Sequence, residues 1–167
     1  MHYLIPVATV ALAVTSLPSP ALATSLVGSV AGEPREWHVN DVDGELSAKW
    51  YDFGGFSQVE IFAFPQPENV RDITGALSLT LSLMGDPPQF AGASLVYHAG
   101  GFSDVYTVDE GEIEVTMQEA EMDAGVLRLS GTVAAEVFRA ESAFGGELDR
   151  DDSLAISAEF DLTLEAQ

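Results

Sequence analysis

Four carboxylates stand within the six residues "ELDRDD" at 147–152. A loop can fold carboxylate and carbonyl oxygens around a hard cation at about 2.3–2.6 Å, which makes this stretch a candidate calcium site. Arg150 stands among the acids and favours the alternative, a solvated run of charge. No other cofactor is expected. The candidate metal-binding residues are Glu147, Asp149, Asp151 and Asp152.

The stretches "YDFGGFSQV" at 51–59 and "YHAGGFSDV" at 97–105 repeat Tyr, Gly-Gly-Phe-Ser and Val at matching positions. In each, a tyrosine and an ionisable residue precede the turn that Gly-Gly predicts. If the two turns converged on one cleft, these side chains could bind a ligand. The alternatives are turn chemistry alone and a duplicated unit without function. The candidate ligand-binding residues are Tyr51, Asp52, Tyr97 and His98.

The first copy sorts its side chains by polarity when Gly54-Gly55 is taken as a two-residue hairpin loop. Trp50 then faces Val59 and Lys49 faces Glu60, and directly opposed residues share a face of the sheet. Glycine also supplies the positive φ angles of tight primed turns. The same construction on the second copy places Val96 opposite Val105. We therefore predict two tight hairpins.

Several chemistries are excluded by residue type. The chain has no cysteine and only three histidines, without an H-E-x-x-H pattern. No Walker or Rossmann pattern occurs, and neither glycine-rich copy completes a G-x-S-x-G nucleophile turn. "NDVDGE" at 40–45 fails the EF-hand spacing and is interpreted as an Asp-Gly turn. Carboxylate pairs for glycoside hydrolysis stay an option, because 27 acidic residues give many combinations.

Alternation of apolar and polar residues dominates the chain. It is clearest in "GALSLTLSLMG" at 75–85, "EIEVTMQE" at 112–119 and "LAISAEFDLTLE" at 154–165. A period of two predicts antiparallel strands with one face on a core and one in water. The stretch 126–138 continues the pattern, with Gly131 as a candidate bulge or bend.

Turn signals rich in Pro, Gly, Asp and Asn separate these strands, at 65–69, 85–89, 109–111 and 122–125. Eight or nine short strands with such connections predict an all-β fold. The sequence is compatible with a β-sandwich and with a small antiparallel barrel. No composition shift divides residues 24–167, which are interpreted as a single acidic β domain.

The N-terminal segment 1–23 contains no Asp, Glu, Lys or Arg. Its apolar run at 3–14 is shorter than the roughly 20 residues that span a bilayer, and "ALA" at 21–23 has the small-x-small pattern of a cleavage site. We therefore expect a secretory signal cut after Ala23, a periplasmic or extracellular protein, and no integral membrane domain after cleavage. A second cleavage pattern, "SVA", occurs at 29–31.

The formal net charge is −21, from 27 acidic and 6 basic residues. Such a charge repels nucleic acid through its overall field. Solubility in salt would explain it, and so would cation binding. Together these features predict an exported acidic β-domain with a non-catalytic binding or structural role, whose partner is a protein or a small molecule. The alternative is a small secreted hydrolase that uses carboxylate chemistry.

Overall fold

The computed structural model of the chain describes residues 25–42, 45–109, 111–143 and 146–165. Within these ranges the protein is all-β, as predicted, and no described segment forms a helix able to cross a membrane. The expected signal segment 1–23 lies outside them. The strands are β1 (Ser25–Val30), β2 (Glu33–His38), β3 (Asp41–Val42), β4 (Glu45–Leu46), β5 (Ala48–Asp52), β6 (Phe56–Ala63), β7 (Ala76–Met84), β8 (Gln89–His98), β9 (Val105–Thr107), β10 (Glu114–Asp123), β11 (Val126–Ala140) and β12 (Leu148–Glu165).

Ten strands form one antiparallel sheet in the order β2-β1-β12-β11-β9-β8-β7-β6-β5, with β10 also paired to β11. The first described strand, β1, lies between β2 and the last strand, β12. β3 and β4 form a separate pair, in which Val42 lies opposite Glu45; the predicted turn residues 43–44 lie outside the described residues. The strand count exceeds the eight or nine expected, because strands of two or three residues are too short to show alternation.

The inward side chains of the sheet form one apolar core. Along β7 the alternation works as predicted, since its leucines are fully buried while the intervening Ser78, Thr80 and Ser82 are half-buried on the outer face. The largest buried side chains include Trp37, Trp50 and Phe160, which come from three different strands. Burial of this apolar surface stabilises the fold, and the chain has no disulfide.

Strand pairing differs between the two sides of the sheet. His38, at the end of β2, exchanges two backbone hydrogen bonds with Phe64, which follows β6, with N···O distances of 2.7 and 2.9 Å. On the other side, β9 and β10 follow one another along the same edge of β11. β8 pairs with β9 only from Val96 to His98. Among the described residues, β8 and β10 approach each other without pairing.

Gly131 lies at a bulge, as predicted. The pairing of β10 with β11 shifts register between Met117 and Glu119, opposite Gly131. A Cβ atom on Gly131 would lie 2.4 Å from the carbonyl oxygen of Thr116 and 3.0 Å from the ring of Phe160. Only glycine permits this close approach of strand and ring.

The predicted register of the first glycine-rich copy is confirmed. Trp50 lies opposite Val59 and Lys49 opposite Glu60, and the loop glycines Gly54 and Gly55 have φ angles of 77° and 98°. The amide of Phe53 donates to the carbonyl of Phe56 over 2.8 Å, which closes the tight turn.

The predicted register of the second copy is wrong by two residues. His98, and not Val96, lies opposite Val105, so residues 99–104 form a wider loop with its glycines inside it. The amide of Gly100 donates to the carbonyl of Asp104 over 3.1 Å, and the ring of Phe102 stands edge-on to His98 at 5.8 Å. These contacts favour the wider loop, and a shift of two keeps every side chain on its face.

Candidate functional site

The outer face of β5–β8 carries a row of short hydroxyl side chains. Cross-strand pairing sets Glu60 opposite Thr80 and Thr80 opposite Ser94. Phe62 lies opposite Ser78 on the same face. Because these residues are half-buried or exposed while their neighbours in sequence fill the core, the face presents hydroxyls to solvent.

Three adjoining depressions, of about 340, 330 and 290 Å³, follow this face. Thr80 lines all three, which makes them one continuous feature, here named the trough. Its floor carries hydroxyls and its borders carry aromatic rings, an arrangement typical of sites that orient a ligand by a few polar groups. The hydroxyls belong to Ser78, Thr80, Ser82 and Ser94, and the rings to Tyr51, Phe62 and Phe102.

His98 closes one end of the trough. Its side chain is 3% exposed, its Nε2 lies 3.1 Å from the Oγ of Ser78 and its Nδ1 lies 3.4 Å from the carbonyl oxygen of Gly101. Burial lowers the pKa of His98, and the hydrogen bond to Gly101 opposes that effect. The neutral ring accepts at Nε2 from the Ser78 hydroxyl when its Nδ1–H donates to Gly101. The imidazole therefore fixes the orientation of one trough hydroxyl.

The four predicted ligand-binding residues do not line one cleft. Tyr51 and His98 both line the trough, at its two ends. Tyr97 points into the core, and the Asp52 carboxylate accepts the backbone N–H of Gly54 over 2.9 Å. The two glycine-rich turns lie at opposite ends of the sheet, because β6, β7 and β8 alternate in direction between them. Ligand binding by Tyr51, Asp52, Tyr97 and His98 stays a prediction.

The predicted cation-binding residues lie apart from the trough. Asp152 accepts from the Nε of Arg139 at 2.6 Å and from the hydroxyl of Tyr106 at 2.9 Å, and these two bonds lower the pKa of its carboxyl. Asp149 accepts the backbone N–H of Asp151 over 3.1 Å. Glu147 and Asp149 line an open groove of about 510 Å³. Within the described ranges, no group of three or more His, Asp or Glu side chains could hold a metal ion.

Two arginines organise the acids around β12. Arg139 also pairs with Asp104, in the loop of the second glycine-rich copy. Arg150 pairs with Asp109 and Glu112 and lies over the ring of Phe138 at 4.8 Å. Part of the acidic run at 147–152 therefore links loops to the sheet through ion pairs. Arg150 stands within this run because it pairs with Asp109 and Glu112.

Sequence reasoning missed most of the trough. The alternation of Ser78, Thr80 and Ser82 with leucines predicted a solvent-facing strand surface, and hydroxyls on such a surface are ordinary. The hydroxyls of β7 form a site because the neighbouring strands add Ser94 on one side and Phe62 on the other. The only signal in the sequence was the absence of charge between residues 73 and 85, in a chain otherwise rich in acids.

Comparison of the chain with models of known protein families, with characterised proteins and with solved structures finds no match. We therefore infer a function from the chemistry of the protein's own surfaces. Of these surfaces, the trough combines open volume, aromatic rings and oriented hydroxyls.

Proposed function

We propose that this protein is an exported, acidic β-domain that binds a neutral, hydroxyl-rich chain, such as an oligosaccharide, without catalysing a reaction. The observation that carries the proposal is the trough, a hydroxyl floor between aromatic rings on one face of four strands. Four strands span roughly 14 Å at about 4.8 Å between neighbours. That length suits an extended ligand better than a single small molecule.

The chemistry of the trough matches a sugar chain. Each Ser or Thr hydroxyl both donates and accepts, as sugar hydroxyls do, so either partner can adjust. The apolar C–H faces of sugar rings pack against aromatic faces, whose negative quadrupole attracts weakly positive hydrogens. Tyr51 and Phe62 supply such rings next to the hydroxyls of Ser78 and Thr80.

The charge of the chain supports a neutral ligand. A net charge of −21 opposes the approach of anions, including nucleic acid and acidic polysaccharides. The trough itself is lined by one carboxylate, Glu60, and one amine, Lys49, among the described residues. Export through a signal cleaved after Ala23 would place the domain in the periplasm or outside the cell, where extended glycans occur.

We also propose that the two halves of the sheet pack face to face as a sandwich. β5 approaches β12, although the two strands are not paired, and one core includes Trp50 from β5 and Phe160 from β12. The lack of pairing between β8 and β10 among the described residues supports this arrangement, since a sandwich leaves free edges where a closed barrel does not.

Binding is tested by isothermal titration of a panel of neutral oligosaccharides built from glucose, mannose, galactose and N-acetylglucosamine. Thr80→Val removes a trough hydroxyl with little change of volume and should weaken binding about tenfold, as expected for a lost hydrogen bond of about 1.4 kcal/mol. Thr132→Val is the matched control, on the outer face of β11. Equal losses in the two variants, or no binding of any member of the panel, would contradict the proposal.

The alternative, a small secreted hydrolase with carboxylate chemistry, requires two cooperating carboxylates. A separate depression of about 470 Å³ is lined by Glu112, Glu114 and Glu136 and would be its site. Turnover of the same oligosaccharides, abolished by Glu114→Gln or Glu136→Gln and retained in Thr80→Val, would favour this alternative.

A further inference from the structure

The first part of β8 has an unpaired edge. β8 pairs with β7 along its length but with β9 only from Val96 to His98. Among the described residues, no strand pairs with the other edge of Gln89–Leu95. All of the first six residues, 89–94, are exposed or half-buried, and Phe90 is 38% exposed.

The orientation of the backbone along this edge follows from two hydrogen bonds. The carbonyl of Leu95 accepts the hydroxyl of Thr107, on β9, over 2.7 Å, whereas the carbonyl of His98 accepts the amide of Gly75, beside β7, over 2.6 Å. Backbone groups point to alternate sides along a strand. The N–H and C=O of Ala93 therefore point outward, away from β7, where a further strand could pair with them.

This edge lacks the protection that the other edges carry. Natural proteins guard free edges with charged side chains. β2 contains Glu33, Arg35 and Glu36, and β5 contains Lys49 and Asp52. β8 contains no Asp, Glu, Lys or Arg in "QFAGASLVYH", although the chain carries 33 charged residues of these types in all.

We propose that β8 is a docking edge to which a partner protein adds an extended, basic segment as an extra antiparallel strand. Main-chain hydrogen bonds to such an edge supply affinity, while alternate side chains supply specificity. The proposed docking site is the unpaired backbone edge of β8. Gly92, Ala93 and Ser94 also line one depression of the trough, but strand addition at this edge does not depend on glycan binding.

Charge complementarity selects a basic partner. β10 approaches β8 without pairing with it, and its exposed acids are Glu114, Glu119, Glu121 and Asp123. An approaching cation is attracted by these side chains and by the net charge of −21, whereas a second copy of this chain is repelled. Apolar side chains on the incoming strand would find Phe90 and Met84 exposed at the start of β8.

The probe is a fluorescent, end-capped peptide of eight residues with alternating lysine and valine, titrated with the full chain and followed by anisotropy. The expected result is saturable binding that weakens with added salt. A matched peptide with N-methylated valines keeps the charge but loses the backbone N–H donors along one edge. It should bind at least tenfold more weakly. A peptide of alternating glutamate and valine should not bind.

On the protein, Ala93→Pro removes the outward N–H without breaking a bond to β7, and should weaken lysine–valine binding at least tenfold. Ala93→Ser keeps the N–H and is the control, and Thr80→Val in the trough should leave peptide binding unchanged. Circular dichroism and the melting temperature establish that each variant is folded. If Ala93→Pro does not fold, the N-methylated peptide gives the same test on the unaltered protein.

Three results would overturn the proposal. The first is absence of saturable binding by the lysine–valine peptide. The second is equal affinity for the N-methylated peptide, which would reduce the interaction to charge alone. The third is a concentration-dependent dimer in sedimentation velocity that Ala93→Pro abolishes, because a second copy of the chain would then occupy the edge.

Discussion

The imidazole Nε2 of His98 lies 3.1 Å from the Oγ of Ser78, and the two residues belong to adjacent strands at one end of the trough. The rings of Phe62 and Phe102 stand 5.4 and 5.8 Å from the imidazole, and His98 is 3% exposed. A polar pair enclosed in this way contributes to stability only while the histidine is uncharged.

The stability of the protein should therefore depend on the protonation of His98. Burial lowers the pKa of His98 in the folded state, below the value near 6.5 of an unfolded chain. The stabilisation is fully present above the unfolded pKa, and is lost as pH falls from about 6.5 through the folded value. The titration of this one group changes the free energy of unfolding by at most about 1.4 kcal/mol per pH unit.

Urea denaturation between pH 7.5 and 5 measures this slope, and His98→Gln should flatten it. The variant keeps a polar group within reach of Ser78 but does not titrate. The same slope in the variant and in the unaltered protein would mean that other groups determine the response to acid.

The turn at Gly54-Gly55 should depend on glycine. Gly55 has a φ of 98°, and Gly55→Ala should destabilise the protein by about 1–2 kcal/mol because a Cβ strains that conformation. Gly92→Ala is the matched control, since no heavy atom lies within 4 Å of its Cβ position and its φ is ordinary. Its effect should stay within about 0.5 kcal/mol. Equal free energies of unfolding for the two variants would argue against the tight turn.

The same hairpin shows what sequence could and could not predict. Its register followed from local chemistry, since the two-residue turn and the polarity of Trp50 and Val59 agree. The second copy has the same Gly-Gly-Phe-Ser, but its loop is held by residues distant in sequence, such as Arg139 on Asp104. The trough was missed for a related reason. Its hydroxyls form a site only together with residues of neighbouring strands, and the alternation pattern does not predict which strands pair.

Calcium should shift the melting temperature no more than magnesium at equal concentration. The carboxylate of Asp152 accepts hydrogen bonds from Arg139 and Tyr106, and that of Asp149 accepts one from the amide of Asp151. To bind calcium, these oxygens would have to give up these hydrogen bonds. Monovalent salt should raise the melting temperature gradually by screening repulsion among the acids. A saturable shift specific to calcium, absent after Asp149→Asn with Asp151→Asn, would instead establish a site at 147–152.

The mature protein should begin at Thr24. Cleavage at the second pattern, after Ala31, would remove β1, whose Leu26 and Val30 are buried between β2 and β12. Mass spectrometry of the protein exported by a bacterial host tests this expectation. A folded product that begins at Gly32 would show that β1 is dispensable, and retention of 1–23 would argue against a cleaved signal.

The position of β1 has a consequence for the order of folding. Ser29 bonds Ser157 through their hydroxyls at 3.0 Å, so the first described strand completes its pairing only with the last. A chain whose contacts join its two ends folds slowly, because the entropy of closing a long loop must be overcome first. During synthesis the N-terminal half has no β12 to pair with, and the sheet cannot close until the C-terminal residues have emerged. If the chain is exported as proposed, this topology would delay folding until the C-terminal residues have been synthesised, and so favour a nascent chain that is still unfolded when it crosses the membrane.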